Sequence, residues 1–289
     1  MKYLKRFVIL VALILAVIFI PRNMEVKFFA ANLPSYFTTK NVARDIDYGS
    51  KNHQKLDVYM PGYTPAHKPV IVFFHGGKWT KGRKENYQFV ADAFVKKGYV
   101  VVIPSITKYP EGYYKIWQED AAKVVAWVHN NIAKFNGDAA NIYLMGHSSG
   151  GQIAALIATD ERYLQNEGGT RGWIKAFVGI SAPYDFTPEP DDLKEMFRDS
   201  GDNYADIRVT NFIDGKQPPM LMIWGRDDDA VGDNEMLLVK NAIEKHGGIY
   251  EIKYYEDADH TSLIAALAPL STSDEPVADD IDAWLKQLK

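Results

Sequence analysis

Six short apolar runs, separated by segments of helical periodicity, set the framework of this 289-residue chain. The runs at 69–74, 99–103, 142–145, 176–180, 220–224 and 250–255 are mostly continuous rather than alternating. That is the pattern of strands covered on both faces of a parallel sheet. Between them, 86–97 keeps Phe89, Val90, Ala93 and Phe94 on one face and stops at Gly98. Residues 116–135 repeat Ala121, Val124, Val125, Val128 and Ile132 at helical spacing. Ahead of these, 44–48 and 55–60 alternate with period two around a turn of Gly49, Ser50 and Asn52, and predict an antiparallel hairpin at one sheet edge. The order predicts an α/β fold: a mostly parallel central sheet, an N-terminal antiparallel hairpin, and helices on both faces. Chemistry in such sheets gathers beyond the carboxyl ends of the strands.

Two stretches depart from the rhythm. At the start, Lys2, Lys5 and Arg6 precede an unbroken apolar run at 7–20, closed by Pro21 and Arg22. A basic flank before an apolar run is the form of a signal segment, and the run is shorter than the ~20 residues of an ideal spanning helix. No small-x-small site follows, because Phe28 and Phe29 stand ahead of Ala30 and Ala31. Residues 1–23 therefore read as a signal anchor in preference to a cleaved signal peptide, which puts a membrane at the N-terminus and the domain on the periplasmic or outer side. Residues 24–41, aromatic-rich and mixed, read as a linker or an extension lying on the domain, which occupies 42–289. The second departure, 183–219, holds Pro188, Pro190 and a short helical patch around 193–197. It is too long for a simple connection, and predicts either a small cap insertion beside the site or a decorated crossover helix.

Composition removes several function classes. The net charge is −4 with no basic stripe, which argues against nucleic acid as a partner. There are no cysteines, which excludes disulfides, thiolate metal sites and a cysteine nucleophile together.

The candidate chemistry centres on Gly146, His147, Ser148, Ser149, Gly150 and Gly151. A G-x-S-x-G motif between a strand and a helix is a nucleophile elbow, with Ser148 on a strained turn at the sheet edge. A serine hydroxyl needs a base near neutral pH. Of the seven histidines, His260 alone follows the last predicted strand at its carboxyl end. His246 precedes that strand, His53, His67 and His129 fall in turns or a helix, and His147, as the neighbour of the nucleophile, points away from a productive geometry. The base in turn needs a carboxylate. Asp227, Asp228 and Asp229 follow the strand at 220–224; so local a run offers too few converging ligands for a metal. His75, Gly76, Gly77, Lys78 and Trp79 follow the strand ending at Phe74. Glycines there let backbone N–H groups turn inward to hold an oxyanion, so Gly76 and Gly77, with the N–H of Ser149, are the candidate donors.

Together these motifs resemble the α/β-hydrolase superfamily, and within it the esterase/lipase-like group with an HGG-x-W loop, which includes carboxylesterases, feruloyl-esterase-like proteins and kynurenine formamidases. The resemblance covers 42–289. Its G-x-x-D-x-x-V pattern maps onto Gly225, Asp228 and Val231, which selects Asp228 with Asp229 as the main competitor. Asp120 matches a helix-opening aspartate of the group and reads as structural. Two departures are visible: Lys78 stands where many relatives carry a third glycine, and the group's usual Tyr-Arg motif is replaced at 105–111. The resemblance implies a cofactor-free serine hydrolase acting on a small-molecule carboxylic ester through Ser148, Asp228 and His260, with Trp79 either walling the pocket or anchoring the core. The alternatives are an arylformamidase using the same triad and a non-catalytic binding protein.

Overall fold

The computed structural model describes residues 24–62, 65–271 and 273–288. The apolar run at 7–20 lies outside them, and among the described residues no helix is long and apolar enough to cross a membrane.

Two short helices, α1 (Met24–Asn32) and α2 (Ser35–Thr38), precede the hairpin of β1 (Val42–Asp47) and β2 (Lys55–Tyr59). Then follow β3 (Lys68–Phe74), α3 (Gln88–Val95), β4 (Val100–Pro104), α4 (Tyr114–Asn131), β5 (Gly137–His147) and α5 (Ser149–Thr159). The second half holds α6 (Glu161–Asn166), β6 (Ile174–Ile180), α7 (Asp191–Met196), β7 (Met220–Gly225), α8 (Asn234–His246), β8 (Tyr250–Tyr255), α9 (Ser262–Ala265) and α10 (Val277–Gln287). The eight strands form one sheet in the order β1-β2-β4-β3-β5-β6-β7-β8. β1 and β2 pair antiparallel, as do β2 and β4, and all other pairs are parallel.

Strand periodicity explains why both faces are covered. In β3, Val70, Val72 and Phe74 enter one core cluster while Ile71 and Phe73 enter the other, as a period of two requires. Register then aligns the carboxyl ends. Phe74 lies opposite Gly146, His147 opposite Ile180, Ile180 opposite Ile223, and Gly225 opposite Tyr255. The loops after β3, β5, β6, β7 and β8 therefore emerge at one rim.

Three expectations change in detail. β5 extends well beyond the apolar run at 142–145, because its first half is a polar, partly exposed arm. Of the two readings of 24–41, the structure has the extension lying on the domain, helical at Met24–Asn32 and Ser35–Thr38. They gain their stability from docking, since helices this short are marginal alone: the Asn32 side chain accepts the Phe89 N–H at 2.8 Å and donates to the Asn86 carbonyl at 2.6 Å. Thr38 and Thr39 donate to Asp92 at 2.7 and 2.6 Å. Asp120 sits inside α4 rather than opening it; its carboxylate accepts from Gln54 and from the N–H and hydroxyl of Thr107, tying β2 to the loop after β4. The segment 183–219 carries α7 and two short 3-10 turns. It buries Phe197, Ile207 and Val209 in the core while presenting Pro183, Phe186 and Leu193 to the cavity beside the elbow.

Asn32→Ala strands the Phe89 N–H at the start of α3, a loss of roughly 1–3 kcal/mol. We expect amide exchange in 24–39 to accelerate while the sheet amides keep their protection; unchanged exchange in that segment would show that Asn32 does not hold it.

Candidate active site

The elbow is a consequence of crowding between β5 and α5. At Gly150 an added Cβ would lie 2.2 Å from the Phe74 carbonyl oxygen, and at Gly146 one would lie 2.3 Å from the Gly150 oxygen. Only glycine at both positions lets the helix start directly against the strands. The chain makes the reversal at Ser148, whose φ of 54° and ψ of −129° place a non-glycine residue in left-handed backbone. Such a conformation costs roughly 1–3 kcal/mol and persists only where its surroundings impose it. Here the Ser148 N–H donates to the Ile180 carbonyl at 2.9 Å, and its own carbonyl accepts from Gly151 at 2.9 Å.

From that turn a hydrogen-bonded line runs across the rim. The Ser148 hydroxyl lies 2.9 Å from Nε2 of His260, and Nδ1 of His260 lies 2.9 Å from Oδ2 of Asp228. A carboxylate only accepts, so Nδ1 carries a proton, and in the neutral ring Nε2 then presents its lone pair to the serine. Asp228 is also held by its turn, with Oδ1 accepting from the N–H groups of Ala230 and Val231 at 3.0 and 3.1 Å. Burial alone would push its pKa up; the His260 hydrogen bond and charge, with the Val231 N–H, outweigh that and hold it below the ordinary aspartate range. The Asp228 side chain is 0% exposed, whereas Asp227 and Asp229 face solvent. That separates the three aspartates. On the other side of the base, the Asp259 carboxylate accepts the N–H groups of Thr261 and Ser262 at 2.8 and 2.7 Å, which folds the His260 loop into a tight turn.

His147 stands differently from its sequence expectation. Its Nε2 donates to the His260 carbonyl at 2.9 Å. It thereby braces the loop that carries the base. Burial pushes its imidazole down to about 3, and the neighbouring His260 adds to the effect. Below the same rim, His75 donates from Nδ1 to the Gly76 carbonyl at 2.9 Å and stacks on Tyr87; burial pushes it down to about 4. The sequence signal for both was position alone: each is a polar residue just after a short apolar run.

Ser148 opens into a cavity of about 630 Å³ whose wall includes Gly76, Gly77, Trp79, Ser149 and His260. The Gly77 carbonyl accepts from Thr80 and Lys81, and the Gly76 carbonyl from His75 and Tyr87, so the loop's own bonds occupy both carbonyls. Ser149 is the first residue of α5, where unpaired N–H groups and the helix dipole favour negative charge. Lys78 and Trp79 both have positive φ, 55° and 57°, so the loop takes its sharp path without a third glycine. Trp79 serves in both capacities considered: it is 9% exposed, stacks on Phe186 at 5.5 Å, donates Nε1–H to Gln152, and still lines the cavity. A serine beside an imidazole with a buried carboxylate behind it, at the N-terminus of a helix, can carry out nucleophilic acyl transfer.

Comparison with known proteins follows the same line. Residues 56–243, about two thirds of the chain, match the BD-FAE family model. The isoprenylcysteine alpha-carbonyl methylesterase of Arabidopsis thaliana is 28% identical over 268 residues, 86% of this chain and 62% of that protein; this chain thus spans about three fifths of that relative. A kynurenine formamidase of Danio rerio is 31% identical over 144 residues, 50% of this chain and 47% of that one. Among solved structures, a truncated form of carbohydrate esterase from gut microbiota superposes with a TM-score of 0.74 at 20% identity, over 87% of this chain and 97% of that one, and shows the shared α/β-hydrolase fold.

The two buried histidines set an acid limit. Folded, they stay neutral; unfolded, each binds a proton near pH 6.5, so stability must fall as pH drops below that value. Each costs up to about 1.4 kcal/mol per pH unit. Urea unfolding at pH 6 and at pH 5 should show that slope roughly halved in His147→Asn, and equal slopes in the two proteins would refute the assignment.

Proposed function

The chain belongs to the BD-FAE family, and from that we propose that it is a serine hydrolase that cleaves carboxylic esters through an acyl-enzyme on Ser148. The observation that carries this reading is the Ser148–His260–Asp228 line, with both contacts at 2.9 Å, at the floor of an apolar cavity. In the first half-reaction Nε2 of His260 takes the Ser148 hydroxyl proton as Oγ bonds to the ester carbon. The carbonyl π electrons move to oxygen, and the N–H groups of Gly76 or Gly77 and of Ser149 hold that oxyanion. Collapse breaks the carbon–alkoxy bond, and His260 returns its proton to the departing alcohol. Water then repeats the sequence on the acyl-enzyme and regenerates Ser148. Asp228 keeps the imidazole in the required tautomer and stabilises the imidazolium between the two transfers. Each well-placed oxyanion donor contributes about 3–4 kcal/mol of barrier lowering.

The same residues support an arylformamidase as the second reading, favoured by the likeness to the Danio rerio kynurenine formamidase. Comparing N-formylkynurenine with short p-nitrophenyl esters separates the two, and formamide turnover well above ester turnover would reverse their order. For placement in the cell we propose that the basic-flanked run at 7–20 anchors the chain in a membrane with the domain outside the cytoplasm.

A fluorophosphonate probe should label the wild type and leave Ser148→Ala unlabelled. Asp228→Asn should lower kcat by about 10⁴ by leaving the base in the wrong tautomer, while Asp229→Asn should stay within about threefold, as expected of a solvated side chain. Equal losses in the two aspartate variants would remove Asp228 as the partner of the base.

A further inference from the structure

We propose, building on the ester-hydrolase reading, that the substrate is an ester carrying a long apolar chain drawn from a lipid layer, and that α1 forms the wall of the limb that holds this chain. The cavity at Ser148 has two apolar sides that belong to different halves of the core. Trp79, with Phe186 and Leu193 packed beside it, belongs to the cluster on one face of the sheet. Tyr87, Phe89 and Ile264 belong to the cluster on the other face, and Phe28 and Ala31 of α1 complete that side. An ester carbonyl has two substituents, so a nucleophile between two apolar walls meets one substituent on each.

The α1 side is built for hydrocarbon. Phe28 packs on Tyr87 at 4.8 Å and on Phe89 at 6.4 Å between ring centroids, and Ala31 lines the cavity one turn further along α1. The two carboxylates on the cavity wall are already committed to backbone N–H groups, Glu235 to Tyr184 and Asp185, and Asp259 to Thr261 and Ser262. Recognition on this side therefore falls to apolar contact.

The outer surface of the same helices indicates the source of the chain. Phe29 is 60% exposed, Leu33 36%, Tyr36 45% and Phe37 73%. These large apolar side chains are grouped on one short segment, and the basic-flanked apolar run at 7–20 directly precedes it in sequence. A segment with one apolar surface toward the cavity and another toward the exterior, next to an apolar run, suits uptake from a lipid layer.

Binding to the full-length Ser148→Ala chain tests the limb without requiring turnover. Methyl laurate should bind at least about tenfold tighter than methyl butyrate, because each buried methylene strengthens binding several-fold. Ala31→Trp in the same background should remove most of that gain while butyrate affinity stays within about twofold; Phe28→Trp is the second blocking variant should Ala31→Trp not fold. In the active protein, the same blocking substitution should lower kcat/KM for p-nitrophenyl laurate by about tenfold and spare the butyrate ester, with fluorophosphonate labelling retained. Chain-length-independent binding, or equal losses for both esters, would overturn the proposal while leaving the hydrolase reading intact. Chain-selective binding without labelling or turnover would sustain the limb and remove the hydrolase.

Discussion

How closely α5 crosses the ends of β3 and β5 decides everything else at the rim. Gly150 rests against the carbonyls of Phe74 and His75, and Gly146 against Gly150. With no side chain to separate them, strand and helix meet within one residue, and that residue is Ser148 in left-handed backbone. The strain there is sustained by bonds the sheet supplies, above all the Ser148 N–H to the Ile180 carbonyl of the neighbouring strand. A looser crossing would relax the turn that sets the Ser148 hydroxyl 2.9 Å from His260. The Ser148 turn and the N-terminus of α5 thus share a single packing constraint.

Parallel register carries that constraint outward. Because β5, β6, β7 and β8 end level with one another, the loops after β7 and β8 need only a few residues to bring Asp228 and His260 to the serine. Each loop is then fixed by its own short-range bonds: Asp228 by the N–H groups of Ala230 and Val231, and the His260 turn by the Asp259 carboxylate. His147 adds a bond between the two systems, running from the last residue of β5 to the carbonyl of the base. The distance between nucleophile and base is thereby set on both sides of the elbow.

Much of this was legible in the chain because it depends on local chemistry. Continuous apolar runs reveal buried parallel strands, and Gly146, Ser148 and Gly150 between a strand and a helix reveal a tight turn. What stayed hidden depends on distant partners. Three adjacent aspartates look alike until burial distinguishes Asp228. The helicity of 24–38 comes from Asn32, Thr38 and Thr39 meeting α3, contacts that no periodicity announces. The bond from His147 to a residue more than a hundred positions later lies beyond any sequence window. The segment 183–219 posed a false choice, since Phe197 enters the core and Phe186 faces the cavity from the same stretch.

The polar line and the apolar walls are consequently built by different parts of the chain. Ser148, Asp228 and His260 sit on strand ends and short turns, where sheet register leaves them almost no freedom. Phe186 and Leu193 come from the long segment between β6 and β7, and Phe28 and Ala31 from helices ahead of the sheet altogether. The hydrogen-bonded line is then a property of the sheet, while the two appended segments complete apolar walls that Trp79, Tyr87, Phe89 and Ile264 begin. On the proposed reading, a change in 24–41 or 183–219 alters the apolar walls of the cavity while the Ser148–His260–Asp228 line stays in place.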